Sequence, residues 1–301
     1  MPLVSIGLPV YNGERYLEES LISILKQSYK DFELIISDNS SNDQTAEICR
    51  RYSDIDSRIR YYRTDTNMGA AWNYNQVFRL SNGKYFKWAA YDDIIDQFYI
   101  EKCVSILNNR RSIVLCYAKT IMIDGQGEII EYFEDKYNLM SPLVYGRYKQ
   151  FLLTFGKRCN PIFGLIRSDI LNKTPLISSY ISSDHALLGE LALHGQFCEI
   201  QEYLFYRRIH EAASIPANQG VEKLTIWYNK DAKCYFIVPS LRMFYEYARS
   251  ILRVRMSCYD RLRCLQQLII LMAKKRYRIT KELIDATYKL LNRSNTGRHA
   301  L

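Results

Sequence analysis

The amino-acid sequence predicts an α/β protein, a mostly parallel sheet flanked by helices and followed by a helical extension. Three observations carry that prediction. Over residues 3–118, short apolar runs alternate with segments whose apolar residues recur at helical spacing, the pattern of βαβ units. The runs lead into polar clusters at 11–14, 38–43, 67–69 and 91–93. From about residue 222 only helical spacing remains.

The elements follow in order. Residues 3–10 are a short apolar run, as expected of a buried strand. Tyr16, Leu17, Ser20, Leu21, Ile24 and Leu25 then share a helical face. Residues 32–36 form a second strand, and the polar stretch from Ser37 to Asp43 both ends it and can cap a helix near 44–53. Residues 59–63 are a third strand, Asn67-Met68-Gly69 a turn, and Ala70 to Leu80 a helix. Residues 84–90 are a fourth strand running into Asp92-Asp93, with a helix near 97–108 and a fifth strand at 113–118. Beyond 118 the spacing predicts a hairpin over 121–130, a polar loop at 134–146, a strand at 161–166, a helix at 184–194 and a last strand at 203–209. A boundary falls at 215–222. The expected organisation is a catalytic domain over 1–215, with halves 1–118 and 119–215, and a basic helical region over 222–301.

A chain of 301 residues suffices for one large α/β domain with an appendage. The longest apolar run, Leu268 to Ala273, is far short of the ~20 residues that span a bilayer. A strand pattern beginning at Leu3 argues against a signal peptide. The eight cysteines include no Cys-x-x-Cys pair and mostly lie in apolar segments, so buried free thiols in a reducing compartment are expected. The net charge of +9 is uneven: residues 241–301 hold 14 Lys/Arg against 4 Asp/Glu, and the rest of the chain 27 against 28. The basic character therefore belongs to the tail and needs its own explanation.

Parallel strands put the four polar clusters on one edge of the sheet, where open α/β sheets bind ligands. Asp92 and Asp93 stand at the carboxyl end of a strand, where two hard oxygen ligands suit a divalent cation and the phosphates it carries. Such a pair by itself would also serve a turn or a helix N-cap. Tyr11 reads equally as a packed turn aromatic, and Asp38 as a helix cap.

Four motifs in order, Val4-Ser5-Ile6-Gly7-Leu8-Pro9-Val10-Tyr11-Asn12-Gly13-Glu14, Ile35-Ile36-Ser37-Asp38-Asn39-Ser40-Ser41-Asn42-Asp43, Asn67-Met68-Gly69 and Ala89-Ala90-Tyr91-Asp92-Asp93, resemble the family-2 glycosyltransferases of GT-A fold over roughly residues 3–210. That family moves a sugar from a nucleotide diphosphate donor, usually with inversion. The resemblance implies that Pro9 and Tyr11 line the base pocket, that Glu14 and Asp38 accept hydrogen bonds from base or ribose, and that Asn67 belongs to the nucleotide site. A carboxylate facing a pyrimidine N–H favours a UDP- or dTDP-sugar. It implies Asp93 as ligand to Mn²⁺ or Mg²⁺, with Asp92 at the ribose or assisting at the metal. Ala90 and Tyr91 precede the pair, so the extended acidic motif of many members is absent. An inverting transfer needs a base for the acceptor hydroxyl, and Ser182-Ser183-Asp184 before a helical run matches the family's place for it, making Asp184 the candidate. His210, at a strand end beside Arg207 and Arg208, is either a further metal or diphosphate ligand or part of a solvated basic strand end. Cys159-Asn160-Pro161-Ile162-Phe163-Gly164 is either the floor of the acceptor pocket or a structural turn.

The implied function is sugar transfer to a saccharide or lipid-linked acceptor in surface polysaccharide or glycolipid assembly, in the cytoplasm, extending to the inner face of the membrane. A nucleotidyltransferase would carry a Gly-rich basic loop after the first strand, and Pro9-Val10-Tyr11-Asn12-Gly13 is not one. A non-catalytic nucleotide-binding or scaffold protein of the same fold is the other alternative; Asp92, Asp93 and Asp184 argue against it. The tail is either a packed appendage with a solvated basic face or a contact for an anionic membrane through 241–301. No nucleic-acid partner is expected, because no reading motif accompanies the charge.

Overall fold

The computed structural model describes residues 2–213, 218–230 and 237–296, with side chains to residue 291. β1 (Val4–Val10), β2 (Phe32–Asp38), β3 (Ile59–Arg63) and β4 (Tyr85–Trp88) lie parallel in the order β3-β2-β1-β4. β1 and β2 are buried at every position, covered on both faces, which explains their largely apolar composition; the polar Ser5 and Glu33 within them bond each other at 2.6 Å. The helices α1 (Leu17–Leu25), α2 (Thr45–Ile55) and α3 (Ala70–Arg79) make the crossovers, and α4 (Tyr99–Asn109) follows β4. The first four predicted strands and the four predicted helices among residues 1–118 are present, and these four strands point their carboxyl ends at one edge.

The remaining strands are β5 (Ile94–Ile95), β6 (Ile113–Ile123), β7 (Ile129–Phe133), β8 (Leu165–Arg167) and β9 (Gln196–Arg208). The sheet continues from β4 as β8-β6-β9-β5, with β7 paired to β6 alone. β8 is antiparallel to both neighbours, and β6 and β9 are parallel.

Several expectations need correction here. The fifth strand does not stop at 118: β6 runs on to Ile123, and the hairpin partner is β7. The last strand begins at Gln196, not 203, because its first half also pairs with β6, and three register shifts along the pair break the simple alternation. The strand expected at 161–166 is a 3₁₀ turn, Asn160–Phe163, followed by the three residues of β8. Pro161 supplies no N–H to a ladder and its fixed φ suits the first turn of a helix. The predicted loop at 134–146 gives way to α5 (Val144–Leu152), and α6 (Ser168–Leu171) and α7 (Ser183–His194) complete this half.

α8 (Val221–Tyr228), α9 (Pro239–Arg253), α10 (Cys258–Lys274) and α11 (Arg276–Thr296) form the C-terminal region. α9 is not a loosely attached appendage. Tyr247 and Ile251 are wholly buried, and Met243, Tyr247, Ile251, Cys264 and Leu268 join the same hydrophobic core as the sheet. Tyr247 Oη lies 2.5 Å from His185 Nδ1, and Ser250 and Arg253 bond the buried Glu190 carboxylate at 2.7 Å each. His185 Nε2 faces the Thr154 carbonyl at 3.2 Å, which leaves Nδ1 to accept from Tyr247, and burial lowers the imidazole's pKa so that it stays neutral. The described cysteines are all free thiols, as expected; Cys234 lies outside the described residues.

Candidate active site

The strand-end loops are tied together by side chains that the sequence places right after each strand. Asn12 N–H donates to Ser41 Oγ (2.9 Å), Gly13 N–H to Thr45 Oγ1 (2.8 Å), and Glu14 N–H to Asp43 (3.0 Å). Asn39 donates to Asn67 Oδ1 (3.1 Å) and accepts from Met68 N–H (2.8 Å), clasping the loop after β2 to the loop after β3. Gly13 has to be glycine: a Cβ there would stand 2.6 Å from Val10 and 2.9 Å from the Tyr91 ring. Tyr91 leads into the acidic pair, so this close approach sets the β1 and β4 loops side by side.

Pro9 lies buried within β1, against the rule that proline avoids central strands. The register explains it. β1 pairs with β4 only as far as Gly7–Trp88, and the last bond on that side runs from Ala89 N–H to the Gly7 carbonyl. Pro9 points the same way two residues later, beyond that last bond, so its missing N–H costs nothing. The strands part here, opening the crevice between β1 and β4 where the strand order reverses. Tyr11 sits at this edge 40% exposed, with Lys230 Nζ 5.9 Å from its ring centre.

The nucleotide candidates divide. Tyr11 presents an open ring, and Asn67 and Glu14 stand in the loops, Glu14 accepting from Gln44 N–H at 3.0 Å. Asp38 is different. Its side chain has no exposure; Oδ1 accepts from Ser41 N–H (2.9 Å), Oδ2 accepts from Tyr61 O–H (3.0 Å), and Arg63 Nε lies 3.6 Å away. Its carboxylate ties the loop after β2 to β3.

Asp92 and Asp93 lie between β4 and β5, against the end of β9. Asp93 Oδ1 accepts from Arg208 N–H (2.9 Å), and Asp92 Oδ2 meets His210 Nε2 (2.9 Å). Arg208 is a structural hub. Its side chain is 2% exposed and is spent on Glu19 (2.5 Å), the Asp92 carbonyl (3.0 Å) and the Asp124 carbonyl (3.2 Å), with the Tyr16 ring beneath it. Both strand-end arginines line the cavity, but Arg207 donates to the neutral Asn160 Oδ1, whereas the guanidinium of Arg208 is paired with Glu19. Asn160 in turn donates to Thr120 Oγ1 (3.3 Å), which donates to the buried Asp135 (2.7 Å). The segment 159–164 is a turn, and Cys159, Ile162 and Phe163 line the cavity.

Burial and the neighbouring Asp92 charge push Asp93 up to about 7, while Arg207 and the Arg208 N–H oppose the rise. A divalent cation would reverse that imbalance. The donor set fits Mg²⁺ or Mn²⁺, which are commonly held by one or two carboxylates with phosphate oxygens completing the shell. The three-member set Asp93, Asp92 and His210 is not formed: among the described residues no three acid, imidazole or thiol side chains converge. His210 Nε2 is committed to Asp92, and its ring packs on Tyr16 with centroids 4.6 Å apart.

Asp184 stands on the first turn of α7. Ser182 occupies the N-cap in a left-handed conformation, so Asp184 is not the cap residue; its carboxylate accepts from the adjacent His185 N–H (2.9 Å) and from the Cys159 thiol, and lines a cavity of about 940 Å³. Opposite are Arg207, Tyr74, Cys159, Trp227 and Met243. Tyr74 was not legible in advance. It belongs to a helix rich in aromatics, and only its place among Asp92, Asp93 and Asp184, whose charges add to burial in raising its phenol pKa, marks it as part of the site.

A model of the family described as Glycosyl transferase family 2 matches residues 5–167. The chain belongs to glycosyl transferase family 2. It is 29% identical over 245 residues to an uncharacterized glycosyltransferase of Methanocaldococcus jannaschii, covering 77% of this chain and 82% of that one. An uncharacterized glycosyltransferase of Haemophilus influenzae is 34% identical over 131 residues, 44% of this chain and 52% of the relative, so this chain spans about half of that protein. Among solved structures, S. aureus TarS residues 1–349 in complex with UDP-GlcNAc superposes with a TM-score of 0.66 at 15% identity, over 96% of this chain and 78% of that one. The mannosyltransferase PcManGT of Pyrobaculum calidifontis, in complex with GDP-Man and Mn²⁺, gives 0.54 at 14%, over 96% and 87%. These likenesses are of fold, and the fold is GT-A. This family-2 member is an enzyme, a glycosyltransferase, which sets aside the nucleotidyltransferase and scaffold alternatives.

Proposed function

We propose that this glycosyltransferase is metal-dependent and inverting, moving a sugar from a UDP- or dTDP-sugar to a saccharide or lipid-linked acceptor in the assembly of surface polysaccharide or glycolipid, at the cytoplasmic face of a membrane. The observation that carries the reading is the gathering of three carboxylates around Tyr74: Asp92 and Asp93, the latter with a raised pKa, and Asp184, which lines the cavity with Arg207.

In this reading the base stacks on Tyr11, which needs only an open flat face. Glu14 and Asn67 hold the nucleoside, with Asp38 keeping their loops in place. Asp93 and Asp92 would hold Mn²⁺ or Mg²⁺, which supplies charge neutralisation for the departing diphosphate. Arg207, steered by Asn160, faces the same phosphates. The bond from the anomeric carbon to the diphosphate oxygen breaks, the bond to the acceptor oxygen forms on the opposite side, and the acceptor's proton passes to Asp184. The apolar walls from Phe163, Ile177 and Met243 keep water from competing.

Calorimetry with UDP, with and without Mn²⁺, tests the site. Metal-enhanced binding that disappears in Asp93→Asn is expected; binding indifferent to metal would defeat the metal-dependent reading. A donor-hydrolysis screen over nucleotide sugars identifies the base and sugar, and preference for a purine donor would overturn the UDP or dTDP assignment.

A further inference from the structure

We propose that α10 and α11 form a docking face for a lipid surface bearing anionic headgroups, inserting apolar side chains as well as attracting by charge. It rests on the reading that the enzyme works at a membrane face, and it moves the contact away from α9, which is sealed into the core.

Each of the two helices carries a second, exposed apolar stripe, which on α11 reaches the cavity lining at Tyr288. On α10, Cys264, Leu268 and Leu271 are buried, whereas Tyr259, Leu262, Ile269 and Ile270 fall within an arc of about 100° on the other side. On α11, Tyr277, Ile284, Tyr288 and Leu291 share an arc of about 60°. Exposure of the α11 four runs from 59% at Leu291 to 82% at Tyr277, and Leu262 and Ile269 are 67% and 65% exposed. Single exposed apolar residues mean little, but two ordered stripes on consecutive helices are a surface awaiting a partner.

Charge selects the partner. Among described residues 252–291, seven Lys/Arg are exposed, including Arg255, Lys274, Arg276 and Lys281, against one exposed acid, Asp285. A second copy of the chain would set these cations against their own kind. An anionic headgroup layer attracts them and accepts the apolar stripes at its acyl boundary. No described helix is long and apolar enough to cross a bilayer, so the contact lies on the surface. Arg278, Tyr288 and Lys289 of α11 also line the cavity beside Asp184, so a docked molecule holds that cavity against the lipid.

The test is co-sedimentation of the full chain with phosphatidylcholine vesicles, with or without about 30% phosphatidylglycerol. Binding to the anionic vesicles only, weakened by salt, is expected. Neutralising three charges (Lys274→Gln, Arg276→Gln, Lys281→Gln) should weaken it about 100-fold, at about five-fold per charge. Ile269→Ser with Ile284→Ser leaves the charge unchanged and should also weaken it at least ten-fold, from the lost apolar insertion. No preference for anionic vesicles overturns the proposal. So does an Ile269→Ser, Ile284→Ser pair that binds vesicles normally but loses a dimer seen by light scattering. UDP calorimetry on the same samples separates the two readings: lost UDP binding with vesicle binding intact sinks the catalytic reading and leaves this one standing.

Discussion

Asp135 offers a direct measurement of how the site's buried polar chain is tuned. Its residue is 1% exposed; Oδ2 accepts from Thr120, and Oδ1 has no hydrogen-bond partner. Burial pushes the carboxyl up to about 7, with Glu199 adding to the rise. The unfolded chain, whose carboxyl titrates near ~3.9, releases this proton first, so the folded state binds more protons at intermediate pH. Native stability contributed by the protonated form is therefore complete at low pH, falls as pH rises from about 4 to about 7, and is gone above that. Three pKa units correspond to about 4 kcal/mol, of which roughly 3 kcal/mol is lost between pH 5 and pH 8. Asp135→Asn keeps the acceptor for Thr120 and cannot ionise. Urea unfolding of both proteins at pH 5 and pH 8 should show the wild type losing roughly 3 kcal/mol more than the variant over that interval. An equal pH dependence in the two proteins would refute the argument, because it would mean that Asp135 ionises in the folded state as easily as in water.

Other outcomes are fixed by the same structure. Asp184→Asn should leave UDP affinity unchanged and lower transfer by about 10²–10⁴-fold, the range for a lost general base, read as kcat with saturating donor. Asp93→Asn should remove turnover and the Mn²⁺-induced rise in Tm while the protein remains folded by circular dichroism. Arg253→Met strands the Glu190 carboxylate, 1% exposed, and should cost about 3 kcal/mol in urea unfolding, reporting that α9 belongs to the catalytic core.

Much of the nucleotide half was legible because its information is local. A parallel strand covered on both faces must be apolar throughout, a strand end must turn with Asn, Gly, Ser or Asp, and the order of such runs fixes which edge they share. Tyr11, Asp92 and Asp93 could be placed on that edge from residue order alone. The second half was less readable. β9 changes register three times along β6, so no single alternation runs through it, and Pro161 sits in an apolar stretch that folds as a turn.

The sequence by itself determined the α/β class, the βαβ half with its strand-end loops, and the candidate carboxylates. Tertiary structure alone decided what each side chain is free to do. Asp38 and Arg208 carry the residue types of ligand-binding groups, yet each is bonded to residues far off in sequence, Tyr61 for the one and Glu19 for the other. Arg207, one residue earlier, donates to the neutral Asn160 at the cavity wall, and Tyr74 feels three distant carboxylates. Residue type and local pattern set chemistry and secondary structure; availability depends on burial and hydrogen-bond partners, which come from long-range packing and leave no local signature.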